Sequence, residues 1–373
     1  LKCIFEASMK NKRKKHTILF AAVDIGWRIE QYKSFLEQIF GDHVYIKSFV
    51  KHKVSTQQYQ TNYDYEFQFV KYPKIIQWLI AFVFFFYALF KFNTFYFFSG
   101  ETILTRKLRR LEFKIYRFFN KKVIMHFVGS DIRDPNYLYW KANHIHDFLS
   151  GSLSTNWQLE LINDSKDFAN HILVSTPDLL EIIPQATYYP VVINIEEFNK
   201  ELKDASLKVQ NKFFKSNKIK ILHAPSNTKI KGSGLIDSVM QKLIKENDKI
   251  EYLNTSSLQR NTGSVYSVSR YELFQLYSEA DIVIDQMVIG WYGLQAIEAL
   301  LANCKVICYI DKKLVKHLFS DCPIITSDIN QLENVLLKTI EGYKNVDFDA
   351  QIKWVEKHHS IKNNDSELLK CFQ

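Results

Sequence analysis

Apolar residues occur along this chain in two alternating rhythms. Short dense runs such as TILFAAV, TFYFF, KVIMHFV, IKILH, DIVID and KVICYI fit strands buried on both faces. Longer segments between them, such as Gly234–Glu246 and Tyr271–Glu279, repeat apolar positions every three to four residues, as helices with one buried face do. The pattern predicts strands at Thr17–Val23, His43–Val50, Thr94–Phe98, Val123–Val128 and Ile172–Ser175, then at Ile219–His223, Ile250–Asn254, Asp281–Asp285 and Lys305–Ile310. Strands that alternate with helices predict an α/β chain with parallel sheets. A proline-bearing extended segment at Tyr189–Pro190–Val191 divides the pattern into two Rossmann-like halves, residues 1–190 and 191–347. Residues 348–373 read as helical and are expected to pack back on the first half.

Composition narrows the class. With 47% hydrophobic and 24% charged residues, the 373-residue chain is a folded protein with a large core, not a disordered one. Five cysteines, an odd number, form no CxxC pair, which fits a reducing compartment and argues against a disulfide framework or structural zinc site. Residues 1–190 hold 25 Lys/Arg against 17 Asp/Glu, so nearly all of the +9 net charge lies in the first half. That half is expected to face something anionic. The basic run KNKRKK precedes only the short TILFAAV and is read as a flank to the first strand, not a secretory leader.

One segment breaks the rhythm. Ile75 to Phe98, IIQWLIAFVFFFYALFKFNTFYFF, has its densest apolar run at Leu79–Phe90, well short of the roughly 20 residues needed to span a bilayer. A basic stretch from Arg106 to Lys122 follows it. Two readings stand: a buried helix of the first domain, or an in-plane helix whose Phe face meets a membrane while the cations meet anionic headgroups (segment 75–122). Nucleic acid is the other anionic partner the charge allows. No motif for it is present, and none is expected as a partner.

The candidate chemistry lies in the second half. ILHAPSNTKIKGSGLIDSV reads as a strand, a polar loop, a Lys-Gly pair and a helix, and a helix amino terminus beside a lysine is a ready anion site. Further on, DIVID, IGWYG, LQAIEALLA and KVICYI read as strand, glycine turn, helix and strand. Glu298 is the single carboxylate of that helix. An acid so surrounded is either on a wet helix edge or held for a hydroxyl-rich ligand at the strand ends. A phosphate cradle and a carboxylate suited to ribose hydroxyls together describe a nucleoside-diphosphate site.

The order of KG loop, ADI strand, glycine-aromatic turn and Glu-bearing helix resembles the GT-B glycosyltransferases, in particular the large retaining group called family 4. HFVGSDIR, NHILVSTPDLLEIIP and YYPVVINIEEF extend the resemblance over most of the chain. It implies two Rossmann-like domains across a cleft, with an acceptor on the first and a nucleotide-sugar donor, UDP- or GDP-linked, on the second. Lys231 with Gly232 would bind the diphosphate and Glu298 the ribose. Gly26 would let the backbone approach donor or acceptor, and the turn of Gly290, Trp291, Tyr292, Gly293 and Leu294 would sit against sugar and phosphates. His126 and Asp131 would stand at the first-domain side of the cleft.

Three positions depart from the family pattern. The first acid of E-x7-E falls on Gly290, so either Asp285 and Gln286 or backbone N–H groups are expected to meet the transferred sugar. The arginine that accompanies the KG lysine is absent; Ser226 lies near its place and Lys229 is expected to compensate. The histidine before GSD is replaced by Val128, leaving His126 one layer deeper. The implied reaction is metal-independent glycosyl transfer to a carbohydrate or lipid-linked acceptor, with retention and no cofactor beyond the donor, since no DxD motif is placed to hold a cation. Cell-surface polysaccharide synthesis at the inner face of the membrane, in the cytoplasm, is the expected setting. An inverting transferase with His126 or Asp131 as base, and a non-catalytic GT-B-like subunit, are the alternatives.

Overall fold

Each predicted strand forms, and their pairing builds two parallel sheets. The computed structural model describes residues 16–24, 28–51, 63–129, 131–133, 155–209, 218–226, 228–255, 268–343 and 347–373. The first sheet contains β1 (His16–Ala21), β2 (Val44–Val50), β3 (Tyr65–Glu66), β4 (Thr94–Phe98), β5 (Lys122–Phe127), β6 (His171–Val174) and β7 (Thr187–Tyr188), in the order β3-β2-β1-β4-β5-β6-β7. The second contains β8 (Ile219–His223), β9 (Ile250–Asn254), β10 (Ile282–Ile284), β11 (Lys305–Cys308) and β12 (Ile325–Thr326), in the order β12-β11-β10-β8-β9. The strands that sequence did not mark, β3, β7 and β12, are two-residue edge strands, too short to carry a period.

The central strands are mostly apolar because side chains from both faces enter the core, one cluster on each side of each sheet. In β4 all five residues are buried. Phe95 and Phe97 face Tyr116 on one side, with ring centroids 4.2 and 6.2 Å away, while Tyr96 and Phe98 face Phe20 and Tyr32 on the other. The carboxyl-terminal segment ties the sheets together. Helix Phe348–His359 packs on helix Leu294–Leu301 beside the second sheet, where Gln351 donates to Leu300 O at 2.7 Å and Trp354 to Ser320 O at 2.9 Å. The chain then bridges Ile193 and Ser360, and helix Asp365–Lys370 delivers Leu368, Leu369 and Phe372 to the core under β1 and β4.

The Phe-rich segment forms a helix, Lys74–Lys91, with one face buried and the other exposed. Ala81, Phe84, Phe85, Ala88 and Leu89 are buried against the first sheet. The opposite face, carrying Ile75, Leu79, Val83, Phe86 and Phe90, is exposed.

Candidate functional site

The strand order of the parallel second sheet reverses between β8 and β10, with β9 on one side and β11 and β12 on the other. At such a switch point, loops leave neighbouring strands in opposite directions and a crevice opens at the carboxyl edge. The segment after β8 carries Lys231, the last residue of the short helix Thr228–Lys231; the loop after β10 carries Asp285.

Each loop is pinned from within the core. His223, at the end of β8, lies within hydrogen-bond distance of Ile284 O (2.9 Å) and Ser233 Oγ (2.8 Å), so β10 and the start of helix Ser233–Glu246 share one imidazole. Burial lowers its pKa and keeps the ring neutral, suited to this bridging role. Gly232 caps that helix with φ +75°, and a Cβ there would stand 2.8 Å from Val288. Glycine therefore follows the lysine for a backbone reason. Met287 N donates to Lys231 O at 3.1 Å, which locks the lysine's backbone beside the β10 loop.

Lys231 Nζ is ion-paired with the fully buried Asp285, whose other oxygen accepts from Gly293 N at 3.1 Å. Gly293 is the amino-terminal cap of helix Leu294–Leu301. One carboxylate thus neutralises a lysine and a helix amino terminus together, the two groups that suit a diphosphate.

Glu298 lies one turn into that helix and is 3% exposed, so the wet-edge alternative is excluded. It pairs with Arg270 Nη1 at 2.6 Å and accepts from Tyr277 OH at 3.3 Å. Arg270 Nε pairs with Glu201 at 2.6 Å, and its guanidinium lies 4.3 Å over the Phe274 ring. Burial raises the Glu298 pKa, and Arg270 opposes that rise. Arg270 and Tyr277 were missed from sequence because nothing in their local spacing sets them apart. The arginine opens helix Arg270–Glu279, whose Ser269/Glu272 capping box is the only legible signal there.

Several expected roles need correction. Gln286 does not face a sugar: its amide donates to Trp291 O (3.0 Å) and Tyr309 O (2.8 Å) and accepts from Val288 N and Ile289 N, so it is consumed in shaping the loop. Trp291 and Tyr292 are buried core residues; Tyr292 OH lies 3.2 Å from His359 Nε2. Gly290, where the family carries an acid, has φ +86° and lies against Asp311, conditions that disfavour any side chain. Ser226 is half-buried in the loop after β8, and Leu294 opens the helix. The Lys229 side chain and Gly26 lie outside the described residues.

On the first sheet, His126 points inward. It is fully buried on β5, with Tyr96 OH 2.9 Å from Nδ1 and Ser175 Oγ 2.9 Å from Nε2. Arg28 Nη1 donates to the same Ser175 oxygen at 2.8 Å. Burial and Arg28 hold the imidazole pKa well below its usual value, so the ring is neutral and both its nitrogens are engaged. Asp131 is spent on its own turn, accepting from Val128 N (2.9 Å), Gly129 N (2.8 Å) and Ile132 N (3.1 Å). Its neighbour Arg133 pairs with Asp178 at 2.8 Å. The titratable group that does stand at the first sheet's own switch point, after β1, is Asp24. It accepts from Ile29 N (3.2 Å) and Tyr63 OH (3.1 Å), and burial raises its pKa to about 6. Its place in VDIGWR, before a glycine at a strand end, was the available signal.

No family model matches the chain, and no curated protein matches it. Solved structures do. The sucrose-phosphate synthase of Thermosynechococcus elongatus is similar at TM-score 0.62 and 11% identity, over 96% of this chain and 98% of that one. Anabaena HepE in complex with UDP-glucose is similar at TM-score 0.59 and 11% identity, over 95% and 99%. The catalytic domain of starch synthase IV from Arabidopsis thaliana, bound to ADP and acarbose, is similar at TM-score 0.58 and 11% identity, over 96% and 98%. The likeness covers at least 95% of this chain, and by it the chain, with its two parallel sheets, has the GT-B fold of those glycosyltransferases.

Proposed function

We propose that this chain transfers a sugar from a nucleoside-diphosphate sugar to a hydroxyl of a carbohydrate or lipid-linked acceptor. The observation that carries this reading is the meeting of Lys231, Asp285 and the Gly293 helix cap at the β8/β10 switch point, one helical turn from Glu298. A diphosphate carries more charge than one carboxylate and accepts from a lysine and helix N–H groups together, so it displaces Asp285 from Lys231 on binding. The same donors then stabilise the charge that develops on the leaving diphosphate without need of a metal ion. Glu298 is oriented by Arg270 and Tyr277. A carboxylate offers about four acceptor directions, so two remain for ribose hydroxyls. The neighbours holding UDP-glucose and ADP support a nucleoside-diphosphate donor.

With His126 enclosed and Asp131 spent on its turn, retention is the preferred course, the leaving phosphate taking the acceptor proton. An inverting course would need Asp24, whose raised pKa suits a base. A non-catalytic role is the second reading, favoured by Gly290 in place of an acid and by the internal pairing of Lys231 and Glu298.

A thermal-shift series with UDP, GDP, ADP and CMP tests the proposal. At 100 times its dissociation constant a ligand stabilises the fold by about 2.7 kcal/mol. The expected result is stabilisation by one diphosphate, lost in Lys231→Ala, followed by hydrolysis or transfer of the matching nucleotide sugar. A cooperative melt that no nucleotide shifts would move the non-catalytic reading to first place.

A further inference from the structure

We propose that the exposed face of helix Lys74–Lys91, continued by the end of helix Arg109–Phe118, docks on an anionic lipid surface, so that the carboxyl edge of the first sheet opens alongside that surface. Ile75, Leu79, Val83, Phe86 and Phe90 recur every three or four residues along one side of the first helix, and all are exposed, Phe90 at 73%. Side chains so spaced form one stripe. The stripe does not stop at the helix end. Phe90 meets Phe119 at 5.9 Å between ring centroids, and Phe119 meets Phe118 at 5.2 Å, itself 81% exposed. A soluble surface rarely carries an apolar area of this extent without a partner.

Charge selects the partner. Lys71 and Lys74 precede the stripe and Lys91 follows it, all exposed. Arg106 and Lys107 stand on the turn before the neighbouring helix, and Arg110, Lys114 and Arg117 on that helix, also exposed. Of these, Arg106 is paired to Glu101 and Arg110 to Asp164 and Asp167. Apolar side chains rimmed by cations match an anionic headgroup layer over acyl chains, whereas a second copy of the same face would set like charges against each other. The helix docks in plane and does not cross the bilayer, because Ala81, Phe84, Phe85, Ala88 and Leu89 hold its other face in the protein core.

The orientation follows from the sheet. Phe67 N and Phe69 N donate to Val50 O and Lys51 O, so the helix begins at the carboxyl edge of β2 and β3. Its other end lies at the amino edge, where Asn93 N donates to Thr17 O. Ile75 and Trp78 therefore stand on the edge where the strand-end loops open, and Phe90 and Phe118 on the far edge. If the transferase reading holds, an acceptor anchored in the same membrane reaches the cleft along this edge. The docking itself is tested independently of that reading.

The experiment is co-sedimentation of the full chain with vesicles of phosphatidylcholine alone or mixed with phosphatidylglycerol, at low and high salt. The expected result is binding to the anionic vesicles, weakened by salt. Lys107→Glu/Lys114→Glu, at exposed positions, should reduce it by more than about tenfold. Val83→Glu/Phe90→Glu should abolish it, with a melting temperature matching wild type as the check on folding. Alkaline carbonate should release the bound protein. Absence of binding to either vesicle, or binding that both double variants leave intact, overturns the proposal. So does resistance to carbonate, which indicates a spanning helix, and so does dimerisation in solution, disrupted by Val83→Glu/Phe90→Glu and unaccompanied by vesicle binding, which assigns the face to a second copy. Nucleotide binding that persists in the variants keeps this test separate from that of the donor site.

Discussion

Replacing Arg270 by methionine probes the electrostatics of the candidate donor site most directly. Methionine keeps a stem of similar length against Phe274 but removes the charge that faces Glu298 at 2.6 Å and Glu201 at 2.6 Å. The two carboxylates are not equivalent: the Glu298 side chain is 4% exposed and that of Glu201 33%. Water can take over much of the guanidinium's role at Glu201, so that loss is small. Glu298 would keep only the Tyr277 hydroxyl at 3.3 Å, and an orphaned buried charge costs about 3–5 kcal/mol. For a cooperative unit of 150–250 residues that is a fall in melting temperature of roughly 6–20 °C.

The sign of the pH dependence follows from the direction of the shift. Burial raises the Glu298 pKa above the ordinary 4.5 and Arg270 restrains the rise, so removing the arginine raises it further. A group whose folded-state pKa lies above its unfolded value loses stability as pH rises through that interval. The deficit of Arg270→Met should therefore be largest at neutral pH and shrink in acid as Glu298 takes a proton. Calorimetric or dichroism melts of Arg270→Met, Glu298→Leu and the double variant, at neutral and acid pH, measure this. The double variant should recover much of the loss, since an apolar pair of similar volume replaces a buried ion pair at little cost. A deficit below about 1 kcal/mol at neutral pH, or strictly additive losses in the double variant, would refute the reasoning.

Two further outcomes are expected. Gly290→Glu, which restores the family's first acid, should destabilise by about 1–3 kcal/mol because φ is +86° and the new Cβ stands 2.9 Å from Asp311. Its turnover of nucleotide sugar should not rise; a variant as stable as wild type and faster would show that the turn adapts. Asp24 has a pKa raised from 3.8 to about 6 by burial, so its ionisation costs the fold about 3 kcal/mol, a loss incurred as pH rises through that window. Asp24→Asn should flatten the stability profile between pH 4 and 6, measured by urea melts; an unchanged slope would mean that another group titrates there.

Much of the fold was legible because buried parallel strands and amphipathic helices carry local periods. TFYFF and KVICYI could not be other than covered on both faces, and the β8 and β10 loops could be placed at strand ends before any pairing was known. Gly232 was read only as a neighbour of the diphosphate lysine; its left-handed φ of +75° at the helix cap is known only from the structure. The donor-site residues were less so. The spacing that marks Glu298 is silent on Arg270, which reaches it from another helix, and the i, i+2 rule that turns His126 toward the cleft says nothing of the Tyr96 and Ser175 hydroxyls that enclose it.

What the sequence alone determined is the α/β alternation, the split into two sheets and the chemical types of the loop residues, all of which depend on neighbours a few positions apart. Only the tertiary structure set β10 beside β8, brought Asp285 onto Lys231 across 54 positions, and buried one face of helix Lys74–Lys91 while leaving the other bare. Sheet order and ion pairing are decided by which segments share the interior once the chain closes. That choice rests on burial and charge summed through space, and no short window of sequence contains it.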